Sequence, residues 1–173
     1  MLLNLASDKP FIYDNSFIFF DRKNLEGQLP KFFYENKDKI KNLYVLTGPG
    51  YFSSTRIWIE VVNILLALQV INTAYYLNKL EFFNSLWFSD IYLFSGNKNK
   101  FIFLQENGLY EIVEKANLDY AKAFEQLFDL KLEKVIYYED ILKKYKKLSW
   151  KKADKNHLLK PFYIFEPIVS FKK

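Results

Sequence analysis

Gly48-Pro49-Gly50-Tyr51-Phe52-Ser53-Ser54-Thr55-Arg56 joins a short apolar run, Leu43 to Leu46, to a long apolar pattern, Ile57 to Ile71. The order predicts a strand, a tight glycine turn and a helix start, which points backbone N–H groups outward at a helix N-terminus. Gly48 and Gly50 tolerate positive φ, and Pro49 fixes the bend between them. Ser53 or Ser54 is placed to cap the helix that follows. The stretch is not a Walker A loop, because no Gly-Lys-Ser/Thr follows. It is not a nucleophile elbow, because no serine stands between the glycines. On local chemistry alone it is a β-to-α turn that needs no ligand.

Working toward the N-terminus, Leu2–Leu5, Pro10–Tyr13 and Ser16–Phe20 are short β-type runs, with Asp14-Asn15 as a turn. From Asn24 to Lys41 the apolar residues Leu25, Leu29, Phe32, Phe33 and Ile40 recur at helical spacing, with Pro30 suited to the first turn. With strand Leu43–Thr47 and helix Ser53–Leu68 this gives the order β-β-β-α-β-α, the half-unit of actin-like folds. After Val70 the pattern predicts a short helix over Leu77–Leu86 and strands at Ile91–Phe94, Phe101–Gln105 and Leu109–Val113. Gly96-Asn97 and Asn107-Gly108 supply the turns. Helices are expected over Asp119–Phe128 and Ile141–Leu148, and strands at Val135–Tyr138 and Phe162–Phe165. The expected division is an N-terminal lobe over 1–72 and a C-terminal lobe over 73–173.

The chain has 173 residues, half of them hydrophobic, with 13 Tyr and 18 Phe. That length suits one domain or two small lobes around a sizeable core. The absence of cysteine excludes disulfides, thiolate metal sites and cysteine catalysis. The start lacks a basic n-region and a long apolar run, which argues against a signal peptide. The most apolar stretch is interrupted by Arg56, Glu60, Asn63 and Gln69, so no membrane span is expected. A cytoplasmic protein is the expectation. The net charge of +5 is uneven. Lys143, Lys144, Lys146, Lys147, Lys151, Lys152, Lys155 and Lys160 crowd one segment, with Tyr145 and Trp150 among them. Such a run is a solvated face or an RNA footprint, in which Lys143, Lys144, Lys147, Lys151 and Lys152 are the candidate contacts.

Candidates for chemistry are few. His157 is the one histidine and lies in a polar segment beside Asp154, so no histidine pair is available for a metal. Asp8, Asp14 and Asp21 lie on or beside the first strands, where a carboxylate could direct Mg²⁺. Glu60 and Asn63 stand one turn apart on an otherwise apolar helix, a polar stripe expected to face solvent or a partner. The rest of that helix, with Trp58, Val61, Val62, Leu65, Leu66 and Leu68, is apolar over too wide an arc for one core-facing side. Consecutive Phe32, Phe33 and Tyr34 pose the same problem, since successive helical residues point about 100° apart. Either the fold buries both sides, or a second chain buries one.

Gly-Pro-Gly-x-Phe followed by Arg56 resembles the signature of the bacterial TsaB (YeaZ) family, usually Gly-Pro-Gly-Ser-Phe-Thr-Gly-x-Arg. Gly48, Pro49, Gly50, Phe52 and Arg56 match; Tyr51 replaces the Ser, and Ser53-Ser54 replace Thr-Gly. Met1–Leu5, Val70–Thr73, Asp90–Phe94 and Leu159–Ile164 resemble other parts of the family in order, less specifically. The resemblance implies an α/β, actin-like (ASKHA, ribonuclease H-like) fold with a reduced second lobe. It implies a non-catalytic scaffold and activator with no metal, cofactor or catalytic residue of its own. Its partners would be a TsaD-like protein and a TsaE-like ATPase, together installing threonylcarbamoyl on tRNA adenosine. Contact with tRNA would be indirect, and a homodimer would form when TsaD is absent. Ala6 stands where family members usually carry Asp. The expected partner-facing residues are Phe32, Phe33, Trp58, Val61, Val62 and Leu65, and Arg56 is expected to orient the loop. Two alternatives are a small actin-like phosphotransferase or peptidase-like enzyme that uses the glycine loop for phosphate, and a basic RNA-binding module.

Overall fold

In a computed structural model of the chain, residues 1–4, 10–40, 42–86, 91–97, 99–105, 107–118 and 143–165 are described. The protein is a mixed α/β fold built on a central mixed sheet. Its strands are β1 (Leu2–Asn4), β2 (Phe11–Tyr13), β3 (Phe17–Phe19), β4 (Leu43–Leu46), β5 (Ala74–Leu77) and β9 (Lys151–Ala153). They lie in the order β3-β2-β1-β4-β5-β9. The first three form an antiparallel meander, with Asn15 at φ 65° in its first turn. β4 and β5 then run parallel to β1 and to each other, and β9 closes the far edge antiparallel to β5. The expected sharing of one sheet by the opening strands and Leu43–Thr47 is therefore met. Two strands from beyond residue 72, β5 and β9, belong to the same sheet.

Alternation of side chains across the pleat divides the core in two. Leu3, Ile12, Leu43, Val45 and Ala74 point to one face. There they meet Leu25, Leu29 and Phe33 of α1 (Leu25–Asn36) and Trp58, Ile59, Val62 and Leu66 of α2 (Phe52–Ala67). Leu2, Phe11, Tyr13, Leu46 and Leu77 point to the other face. That face is covered by α3 (Lys79–Ser85) and by a second sheet of β6 (Ile91–Asn97), β7 (Lys100–Leu104) and β8 (Tyr110–Glu114), through Phe82, Phe83, Leu93, Ile102 and Leu104. Two helices lie on one side of the central sheet; α3 and the smaller antiparallel sheet lie on the other.

Several local expectations are corrected. α1 begins early enough to put Pro30 inside the helix rather than in its first turn. α2 begins at Phe52 and its N-cap is Tyr51, so Ser53 and Ser54 lie inside the helix rather than at its cap position. It ends on Gln69 in the left-handed region (φ 57°), and the Val70 and Gln69 N–H groups return to Leu65 and Leu66. The segment Lys143–Leu148 is a turn and a single 3-10 turn, Tyr145–Lys147, in place of a helix. Phe162–Phe165 forms no strand, although the Phe162 N–H donates to the Thr47 carbonyl. The elements expected at Asp119–Phe128 and Val135–Tyr138 lie outside the described residues.

Candidate functional site

The glycine loop is a packed joint between elements. Gly48, Pro49 and Gly50 are all buried. Thr47 donates its N–H to Leu77 O at 3.0 Å and accepts from Phe162 N at 2.8 Å. Gly48 accepts at 2.6 Å from the N–H of Lys79, the first residue of α3. Gly48 has φ +124°, and a β-carbon there would collide with the Phe162 carbonyl. Gly96, at φ +94° in a bulge of β6, packs in the same way against the carbonyl of Gly50. Glycine at 48 and 96 thus serves two close backbone approaches. One brings in the segment around Phe162, and the other brings the second sheet against the loop.

The other motif residues lie around this joint. Phe52 is partly exposed, and its ring lies 4.8 Å from that of Tyr163. Arg56 is exposed, and its charge acts against the burial that pushes the Tyr163 hydroxyl up. Ser53 is in the first turn of α2. Lys79, wholly buried at the start of α3, was not singled out in the sequence. Its position directly after a strand and an Asn cap was the available signal. Asn78 accepts from Glu81 N, and the Glu81 carboxylate accepts from Asn78 N, so a capping box starts α3.

Of the residues expected to face a partner, Phe33, Trp58 and Val62 lie in the core beneath the helices. Phe32, Val61 and Leu65 are half-buried against the same cluster. The exposed large apolar side chains of α2 and its C-cap are Phe52 at the helix start, Ile57, Ile64 (54% exposed) and, at the C-cap, Leu68 (70%); α1 adds Tyr34 (76%). Positions 57, 64 and 68 share one side of a helix, because they are two and three turns apart. Glu60 is exposed, but Asn63 is buried and clamps the chain near the C-terminal end of the described region. Its Nδ2 donates to Leu159 O at 3.1 Å, and its Oδ1 accepts from Leu159 N at 2.9 Å. The polar stripe is therefore split between solvent and an internal hydrogen-bonding role.

The basic segment lies over the other face of the central sheet. Tyr145 is buried against Tyr13 and Tyr44, and Trp150 donates from its indole nitrogen to Tyr145 O at 2.7 Å. Burial, with Asp14 and Tyr44 nearby, holds the Tyr145 phenol well above its ordinary pKa. Lys144, Lys147, Lys151 and Lys152 are exposed. Lys151 pairs with Glu81 at 2.7 Å, and that hydrogen bond raises its pKa. Lys143 is exposed at the start of the turn. His157 is exposed 3.5 Å from Asp154, whose pKa is lowered chiefly by the backbone N–H of Asn156. Asp14 lies 4.0 Å from the Met1 amine, and Asp21 caps the 3-10 turn before α1. These aspartates occupy local structural roles; Asp8 lies outside the described residues. Among the described residues no group of three or more His, Asp or Glu is placed to hold a metal ion, and no helix is long and apolar enough to cross a membrane.

The fold and joint define a mixed α/β protein with a buried glycine loop between two sheets. No family model matches the chain, and no curated protein matches it. Solved structures do. The chain is similar to YeaZ from Pseudomonas aeruginosa, with TM-score 0.41 and 14% identity over 66% of this chain; it spans 63% of that one. It is also similar to an uncharacterized protein with similarity to peptidase YEAZ from the same organism, with TM-score 0.45 and 11% identity over 95% of this chain and 98% of that one.

Proposed function

We propose that the chain is a TsaB-like, non-catalytic scaffold and activator of the complex that installs threonylcarbamoyl on tRNA. In this reading it binds a TsaD-like protein through the outward side of α2, with a TsaE-like ATPase joining the complex and tRNA held through the partner. The observation that carries the reading is the apolar stripe of Ile57, Ile64 and Leu68. It faces solvent on a helix whose opposite side already fills the core. Apolar side chains grouped on one surface, rather than scattered singly, mark interfaces. The identity of the partner comes from the resemblance of Gly48–Arg56 to the TsaB signature. An actin-like, ribonuclease H-like lobe with a reduced second lobe suits the antiparallel β3-β2-β1 meander followed by parallel β4 and β5. The phosphate-binding alternative is not favoured, because Gly48, Pro49 and Gly50 are buried under Phe162 and Gly96. Affinity purification of the chain from its own cell tests the reading. Recovery of a TsaD-like protein supports it, and recovery of the chain alone counts against it.

A further inference from the structure

One row of the central sheet runs Tyr13, Leu2, Tyr44, Tyr75, Lys152 across five strands in register. Register partners share a face, so Tyr44, Tyr75 and Lys152 stand side by side. Tyr44 and Tyr75 are half-buried and stacked, with centroids 5.0 Å apart and planes at 20°. Among the described residues Tyr44 is the one ring neighbour of Tyr75. At its other edge Tyr44 meets the rings of Tyr145 and Trp150, at 5.2 and 5.0 Å. The turn that carries these two also brings lysines to the row. Lys146 lies 5.7 Å from the Tyr145 ring centroid, with Lys144 and Lys147 exposed beside it. Among the described residues, Asp14 and Glu81 bring carboxylates to this region, and each faces a cation: Asp14 the Met1 amine, Glu81 the Lys151 ammonium. Among the described residues, Lys144, Lys146, Lys147 and Lys152 have no ion-pair partner, which leaves a basic rim around a short aromatic strip whose near-parallel pair is Tyr44 and Tyr75.

We propose that this strip binds single-stranded nucleic acid, stacking a base on Tyr75 and setting phosphates against Lys144, Lys146, Lys147 and Lys152. The chemistry fits because every base has a flat π-face, stacking tolerates any sequence, and lysines track the backbone. A duplex keeps its bases stacked inside and cannot offer them to a strip on a sheet. The site is on the opposite side of the sheet from α2 and does not depend on how that helix is used.

The test is fluorescence anisotropy of the whole chain with a labelled single-stranded RNA, the DNA of the same sequence, and the corresponding duplex. Four lysines that displace counterions predict about a 50-fold loss of single-strand affinity between about 50 and about 200 mM salt. Tyr75→Ala lowers affinity about tenfold, and Tyr75→Phe retains it. Lys152→Glu, on an exposed residue that does not threaten the fold, weakens binding and flattens the salt dependence. RNA bound more tightly than DNA assigns the ligand to RNA; equal binding assigns it to any single strand. The proposal is overturned by duplex bound as tightly as single strand, by Tyr75→Ala binding like wild type while still folded, or by affinity confined to vesicles of anionic lipid.

Discussion

Gly96 lies so close to the carbonyl of Gly50 that a β-carbon on it would strike that oxygen. The second sheet and the loop before α2 therefore meet backbone to backbone. Gly96→Ala adds a clash with main-chain atoms to a positive φ, and neither can be relieved by a rotamer change. We expect a loss of about 3 kcal/mol in urea unfolding. Gly27 in α1 is the control: nothing lies within 4 Å of a β-carbon there. Gly27→Ala should raise stability by about 0.5–1 kcal/mol through helix propensity. Equal effects at the two positions would refute the close approach.

Asn63 holds the Leu159 backbone by both of its side-chain amide atoms. Asn63→Ala leaves a buried N–H and a buried C=O without partners, which costs about 2–4 kcal/mol. Asn63→Asp keeps the acceptor but sets an oxygen against Leu159 O, so it should not restore stability at neutral pH. Hydrogen exchange at the Leu159 amide should speed up in both variants. Unchanged protection there would contradict the clamp.

Burial, then Asp14, Tyr44 and Tyr13, hold the Tyr145 phenol above its ordinary pKa of 10.0. Above that pH the unfolded chain gives up the proton first. The folded state then binds more protons than the unfolded one, and stability falls as pH rises. The Tyr145 hydroxyl has no hydrogen-bond partner among the described residues. Tyr145→Phe should therefore be as stable as wild type or more so by about 1 kcal/mol at neutral pH. Its advantage should widen above about pH 10, by up to about 1.4 kcal/mol per pH unit. Denaturation midpoints of the two proteins between neutral and alkaline pH check this.

Much of the fold could be read from the sequence because it rests on local signals. The meander follows from short β-type runs around Asp14-Asn15, α2 from sustained helical spacing, and the β7–β8 turn from Asn107-Gly108, where Gly108 takes φ +76°. The parts that could not be read depend on pairing at long range. Trp58 and Val62 look like partner-facing residues when the helix is viewed alone. Only the curved packing of α1 and α2 on one sheet face buries them and leaves Ile57, Ile64 and Leu68 outside. Asn63 looks like part of a solvent stripe because its partner, Leu159, is 96 residues away. The helix expected over Ile141–Leu148 does not form at Lys143–Leu148, because Tyr145 and Trp150 anchor that segment to the Tyr44 row and hold it as a turn.

The scaffold reading stands on the outward side of α2, and titration calorimetry of the purified chain with the TsaD-like protein of the same cell tests it most directly. Wild type should bind. Ile64→Glu combined with Leu68→Glu should weaken binding by at least about 2 kcal/mol if these side chains are central anchors, with the unfolding midpoint unchanged because both positions are exposed. No heat of binding with wild type, or equal affinity for the charged variant, would contradict the account.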